Sequence, residues 1–213
     1  MVPEGVAHDF RGLERADVFA RGRAVGTREW SKVVGLCWHQ TASGHLHESH
    51  PKLLAIPAHI LLHRSGRWSL LHPLNAYVQH GHALNGGTIG IEVDCRAAGV
   101  EGDASTFWRS AKEKAAGLQF DDLVQEATDE QMQAIPTIMR WCIAEVANNG
   151  GDIRANWAHR QGHRSRTTDP GSRIWGAVER AQAMGPAFGF QLADVRDMKL
   201  GSGKPIEQEW RTT

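Results

Sequence analysis

The stretch Thr88-Ile89-Gly90-Ile91-Glu92-Val93 decides how this chain is built. Ile89, Ile91 and Val93 fall on one face of an extended segment, Gly90 and Glu92 on the other. A run of this length, entered through the loop Ala83-Leu84-Asn85-Gly86-Gly87, is too short for a typical helix and reads as a strand. Its apolar face belongs to a core. Glu92 then stands on the opposite face, where it can look into a cleft.

Working outward, Val33-Val34-Gly35-Leu36-Cys37-Trp38 reads as a second buried strand, ending in His39 and a small polar loop from Gln40 to Gly44. His59 to His63 is a third, and Trp68 to Leu71 returns as its hairpin partner across Arg64-Ser65-Gly66-Arg67. Further on, Thr128-Asp129-Glu130-Gln131 spells a capping box. Behind it Met132, Ile135, Met139, Cys142, Ile143 and Val146 recur at helical spacing, with Pro136 expected to bend the helix and Asn148-Asn149-Gly150-Gly151 to end it. Ile153 to His159 is a short strand and Ser172 to Met184 a last helix. Strands alternating with helices, plus a hairpin, predict an α/β fold with a central mixed β-sheet flanked by helices.

The organisation expected is a polar N-terminal arm over 1–31, one domain over 32–186 and a loop-rich tail over 187–213, packed on the domain or trailing it. The polar residues 96–127, with a helical patch around Phe107 to Leu118, form an excursion beside the active face. Gly201-Ser202-Gly203-Lys204-Pro205 is expected to be flexible.

At 213 residues the chain is long enough for one domain with a real core. Lysine plus arginine equals aspartate plus glutamate, 24 each, so no net field draws it to nucleic acid or to an anionic membrane. No apolar stretch reaches membrane-spanning length, and the first residues lack the pattern of a signal peptide. Synthesis in a cytoplasm and a monomeric state are expected. The three cysteines, Cys37, Cys95 and Cys142, are odd in number and widely spaced, and read as reduced, buried thiols.

His39 ends one strand and His159 another, and Asp169 follows ten positions after His159 in an Asp-Pro-Gly turn. Two imidazoles and a carboxylate on separate elements suit a catalytic zinc ion, which takes three protein ligands and keeps a fourth position for water. Such an ion serves amide hydrolysis by activating water and polarising a carbonyl. A carboxylate that is not a ligand must then carry the proton to the leaving nitrogen, and Glu92 suits that role. A donor near the developing oxyanion would help, and Thr167 is the local choice.

Three segments carry a family resemblance. His39-Gln40-Thr41-Ala42-Ser43, Asn85-Gly86-Gly87-Thr88-Ile89-Gly90-Ile91-Glu92, and His159-Arg160 through Asp169-Pro170-Gly171 occur in order. They resemble motifs of the zinc-dependent N-acetylmuramoyl-L-alanine amidases, a superfamily shared with phage endolysins and animal peptidoglycan recognition proteins. The likeness spans roughly residues 33–180. It implies that His39, His159 and Asp169 bind one zinc ion and that Glu92 is the catalytic acid/base. The implied reaction is hydrolysis of the amide between N-acetylmuramic acid and L-alanine in peptidoglycan. Many members carry lysine where this chain has Thr167, so Arg166 or His163 are alternative oxyanion partners; several carry tyrosine where it has Ala58.

Each residue also has a plainer account. Alone, a histidine at a strand end is a polar cap and an aspartate before Pro-Gly a turn former. His80 and Asn85 are candidate substrate-groove residues, with loop shaping as the competing role. His45, His47 and His50 lack matching carboxylates and read as a solvated loop; His59 and His63 should hydrogen-bond locally. Trp68 and Trp108 are candidates to stack on sugars, although most of the eight tryptophans should pack in the core. The expectation is an endolysin of phage or prophage type acting on the cell wall. The alternatives are a cytoplasmic amidase recycling muropeptides and a non-catalytic peptidoglycan-binding module.

Overall fold

A computed structural model describes residues 5–9, 26–43 and 46–211. Most of the expected N-terminal arm, together with Gly44 and His45, lies outside the described residues. The strands are β1 (Val6–Asp9), β2 (Gly35–Gln40), β3 (Ile60–Leu62), β4 (Trp68–Leu70), β5 (Thr88–Val93) and β6 (Ala155–Ala158). The α-helices are α1 (Pro51–Leu54), α2 (Ala111–Ala115), α3 (Phe120–Leu123), α4 (Asp129–Asn148) and α5 (Ser172–Ala183).

The six strands form one sheet in the order β1-β4-β3-β5-β2-β6. Among the described strands only the β3–β4 pair is antiparallel, so the sheet is mixed and the fold is α/β, as the alternation predicted. Leu36 and Trp38 of β2 and Ile89, Ile91 and Val93 of β5 enter one core. From the helices, Ile135, Ile138, Met139, Cys142 and Val146 of α4 and Ile174, Trp175 and Val178 of α5 meet them there. Burying each such aliphatic side chain contributes roughly 1.5–3 kcal/mol. Trp38 keeps its indole N–H satisfied inside this layer by donating to Asn156 Oδ1 at 3.1 Å. The other face of the same strands is left for chemistry.

The capping box forms as read. Gln131 N–H donates to Thr128 Oγ1 at 3.2 Å, and Thr128 N–H donates to Gln131 Oε1 at 2.9 Å. The buried Gln131 amide also donates to the carbonyls of Leu62 and Asp94, fastening the start of α4 to the ends of β3 and β5. Pro136 lies inside α4, which runs on to Asn148.

Two expectations change. The 96–127 excursion carries two short helices in place of one patch, and it is tied to the end of β5 by paired backbone bonds between Arg96 and Gln125. The tail is packed. Lys204 N–H donates to the Arg160 carbonyl, Gly203 is buried, and Ile206 and Trp210 are each 2% exposed. Gly201 to Pro205 was expected to be loose from composition, yet here backbone pairing and the apolar residues beyond it hold the segment down.

Candidate active site

Strand register brings the site together. In the parallel pair β2–β5, His39 lies directly beside Glu92, both on the face turned away from the core. In the pair β2–β6, Trp38 lies beside Ala158, so the next residue, His159, emerges next to His39. Here β6 stops and a short 3-10 turn, His159–Gln161, begins. His39 is therefore within its strand, one residue short of its end, whereas His159 stands just past its strand.

Asp169 arrives from the turn that follows. Gly171 adopts φ +96, and a Cβ there would lie 2.8 Å from the Ala98 carbonyl, so the Asp-Pro-Gly sequence fits a position that excludes larger residues. Gln40 fixes this turn on three sides. Its backbone N–H donates to Asp169 Oδ1 at 3.0 Å, its side-chain amide donates to the Thr168 carbonyl at 2.8 Å, and its Oε1 accepts from Ala97 N–H at 2.7 Å. Composition had marked Gln40 only as part of a polar loop.

The side chains converge closely. His39 Nδ1 and His159 Nδ1 are 2.8 Å apart, and His159 Nδ1 is 2.8 Å from Asp169 Oδ2. The ligand atoms of this trio all lie within 4.8 Å of one another, a spacing that allows them to hold a metal ion. A second such group, sharing His39, is Cys37, His39 and His80, all buried. Burial, reinforced by neighbouring His159 and His80, holds the His39 imidazole well below its usual pKa and so in the neutral form a metal needs. Burial pushes the Cys37 thiol up, away from thiolate.

Glu92 Oε1 lies 3.9 Å from His39 Nδ1, while its buried Oε2 has no hydrogen-bond partner. Burial raises the Glu92 carboxyl well above the ordinary carboxylate range; Asp169 adds to this and Arg166 opposes it. A buried polar atom left unpaired costs about 1–3 kcal/mol.

His159, Asp169 and Glu92 line a cleft of about 620 Å³, together with Ile56, Pro57, Arg96, Phe107 and Trp108. Arg166 and Thr168 line it as well; Thr167 does not. The Thr167 carbonyl is instead turned toward Arg160 Nη1, which donates to it at 2.7 Å. His163 stands outside the wall, stacked on His82 with ring centroids 4.1 Å apart. Of the three oxyanion expectations, the geometry puts Arg166 against the cleft.

His80 is buried and Asn85 half-buried at the cleft floor. Asn85 Oδ1 accepts from Gly81 N–H at 2.5 Å, shaping its own loop. His63 bonds locally, to Ser69, whereas His59 accepts from Gly90 N–H at 2.9 Å and its Nε2 lies 2.9 Å from the Ala76 carbonyl and 3.2 Å from Arg28 Nη2. Trp68 is buried in the core, whereas Trp108 is 59% exposed at the cleft rim. The residue that sequence reasoning passed over is His82, whose Nδ1 lies 3.0 Å from His159 Nε2. Its signal was faint: one more histidine, two residues after His80, in a chain with twelve.

No family model and no curated protein matches this chain. Among solved structures it is similar to the N-acetylmuramoyl-L-alanine amidase LysC from Clostridium intestinale URNW, with 14% identity and a TM-score of 0.48 over 75% of this chain and 89% of that one. It is also similar to the endolysine N-acetylmuramoyl-L-alanine amidase LysCS from Clostridium intestinale URNW, with 14% identity and a TM-score of 0.45 over 70% of this chain and 81% of that one.

Proposed function

We propose that this chain is a zinc-dependent amidase that cuts peptidoglycan between N-acetylmuramic acid and L-alanine. The observation that carries the proposal is the meeting of His39 Nδ1, His159 Nδ1 and Asp169 Oδ2, with Glu92 Oε1 3.9 Å from His39 Nδ1 and His159, Asp169 and Glu92 lining the cleft. Two imidazole nitrogens and a carboxylate oxygen fit the nitrogen and oxygen preference of zinc, and three protein donors are the number a catalytic site uses. His39, His159 and Asp169 would hold the ion. When bound, zinc supplies a Lewis acid that polarises the scissile carbonyl and lowers the pKa of water.

The chain's own residues supply the rest. Gln40 holds Asp169 by a backbone donor, leaving Oδ2 free for the centre of the trio. Glu92 takes the proton of the attacking water and delivers it to the departing nitrogen, which cannot leave as an amide anion. Its pKa, raised by burial, favours holding the proton between the two halves of that transfer. Arg166 offers positive charge where the carbonyl oxygen becomes an oxyanion. The apolar wall of Ile56, Pro57 and Phe107 and the exposed Trp108 indole give a glycopeptide surfaces to lie against.

The choice of peptidoglycan rests on the three motifs around His39, Glu92 and Asp169 and their likeness to the wall amidases. Among the described residues no helix is long and apolar enough to cross a membrane. The deciding experiment is mass spectrometry of fragments released from purified wall. A new amino terminus on L-alanine with an intact lactyl group on the sugar supports the proposal; cuts only in the glycan or within the stem peptide overturn it. Activity on intact sacculi assigns an endolysin role, and activity confined to soluble muropeptides assigns recycling.

A further inference from the structure

The histidine ligands are themselves held from behind. We propose that His80 is a positioning residue that sets the tautomer of His39, turning its Nδ1 lone pair toward the metal position. The proposal rests on the zinc assignment above.

The direction of the hydrogen bonds follows from Thr88. Its hydroxyl donates to the Leu84 carbonyl at 2.8 Å, which uses its only hydrogen. What Thr88 then presents to His80 Nε2 is acceptors alone, its carbonyl at 3.2 Å and its hydroxyl oxygen at 3.5 Å. His80 Nε2 must carry the hydrogen. A neutral imidazole has one N–H, so His80 Nδ1 is a bare acceptor. It faces His39 Nε2 at 3.1 Å, and His39 must donate across that contact. The remaining nitrogen of His39, Nδ1, is left as a lone pair pointing at His159 and Asp169. The order runs from a backbone carbonyl to the ligand atom without a free choice.

Space for this arrangement is made by Gly90. A Cβ on Gly90 would lie 2.6 Å from His80 Nδ1, so only glycine lets the ring lie flat against β5. On the other side, His82 Nδ1 stands 3.0 Å from His159 Nε2. His82 holds φ +55, a backbone conformation that a non-glycine residue rarely adopts, and so is kept in place by its surroundings. The relay also removes the competing group of Cys37, His39 and His80, because His39 Nε2 spends its hydrogen on His80. Outer partners of this kind fix the tautomer and raise the basicity of ligand histidines.

The test is nitrogen-edited NMR of the histidine side chains in the zinc-free protein, paired with zinc affinity measured by chelator competition. His39 is expected as the Nε2–H tautomer before any zinc is added. His80→Phe is expected to lower zinc affinity roughly 10- to 100-fold, the usual effect of losing such a partner. His80→Gln, which still offers an acceptor to His39 and a donor to Thr88, is expected to stay near wild type. A packing role would not make that distinction. Finding His39 as the Nδ1–H tautomer overturns the proposal, and so does unchanged zinc affinity in folded His80→Phe; if that variant fails to fold, the wild-type tautomer alone decides. Failure of the wild-type chain to take up zinc at all would instead defeat the metal assignment beneath it.

Discussion

Glu92 lies in β5 and Asp94 just past its end, and burial acts on both with different consequences. Glu92 has an oxygen with no partner and faces the cleft. Replacing it with glutamine keeps the shape and removes the proton carrier, so zinc content should be unchanged while kcat falls by about 100-fold or more. Turnover close to wild type would remove Glu92 from the chemistry. Asp94 is 1% exposed, accepts from Thr41 at 3.3 Å, and has its pKa raised by burial to about 6. Its folded form binds the proton more tightly than the unfolded chain, so stability falls as pH rises from about 4 to about 6 and stays lower above that. Asp94→Asn should therefore be more stable than wild type by about 1–2 kcal/mol at pH 7 and equal to it below about pH 4. Urea melts at both pH values check this, and an advantage that persists at low pH would contradict it.

At the scale of elements, the site is a product of register. β2 and β5 run parallel with His39 beside Glu92, and β6 ends where His159 is needed. Gly90→Ala should displace the His80 ring, lowering stability by about 1–3 kcal/mol and weakening zinc binding while β5 stays paired. An unchanged affinity for zinc would show that His80 does not depend on the open face of Gly90. The strands and the capped helix were legible because short-range rules decide them: period-two alternation placed Glu92 opposite Ile91, and Thr128 with Gln131 announced α4. The three converging residues and Glu92 were legible through their motifs. His82 and Gln40 were not, because their roles depend on a chain reversal and on a turn arriving from residues far along the sequence. Neither contact leaves a trace in local pattern. Gly201 to Pro205 misled for the same reason, since glycine content says nothing about what backbone the segment will pair with.

Across the whole molecule, the tail is joined to the site through Arg160. That buried guanidinium donates to the Thr167 carbonyl, to the Pro205 carbonyl at 2.9 Å and to Glu207 Oε1 at 2.6 Å, and it stacks 4.6 Å from the Trp210 ring. The turn carrying Asp169 and the last described residues thus share one anchor. Trp210→Ala should cost about 3–5 kcal/mol, as for other buried aromatics, and should loosen the Asp169 turn. A stability loss below about 1 kcal/mol in a thermal melt would mean the tail merely rests on the domain. The account as a whole depends on one ion held by two histidines and one aspartate. Its most direct test is the zinc content of the purified wild-type chain against Asp169→Ala, measured after dialysis against a weak chelator. One zinc per wild-type chain and a large loss in the variant are expected; equal zinc in both, or none in the wild type, would contradict it.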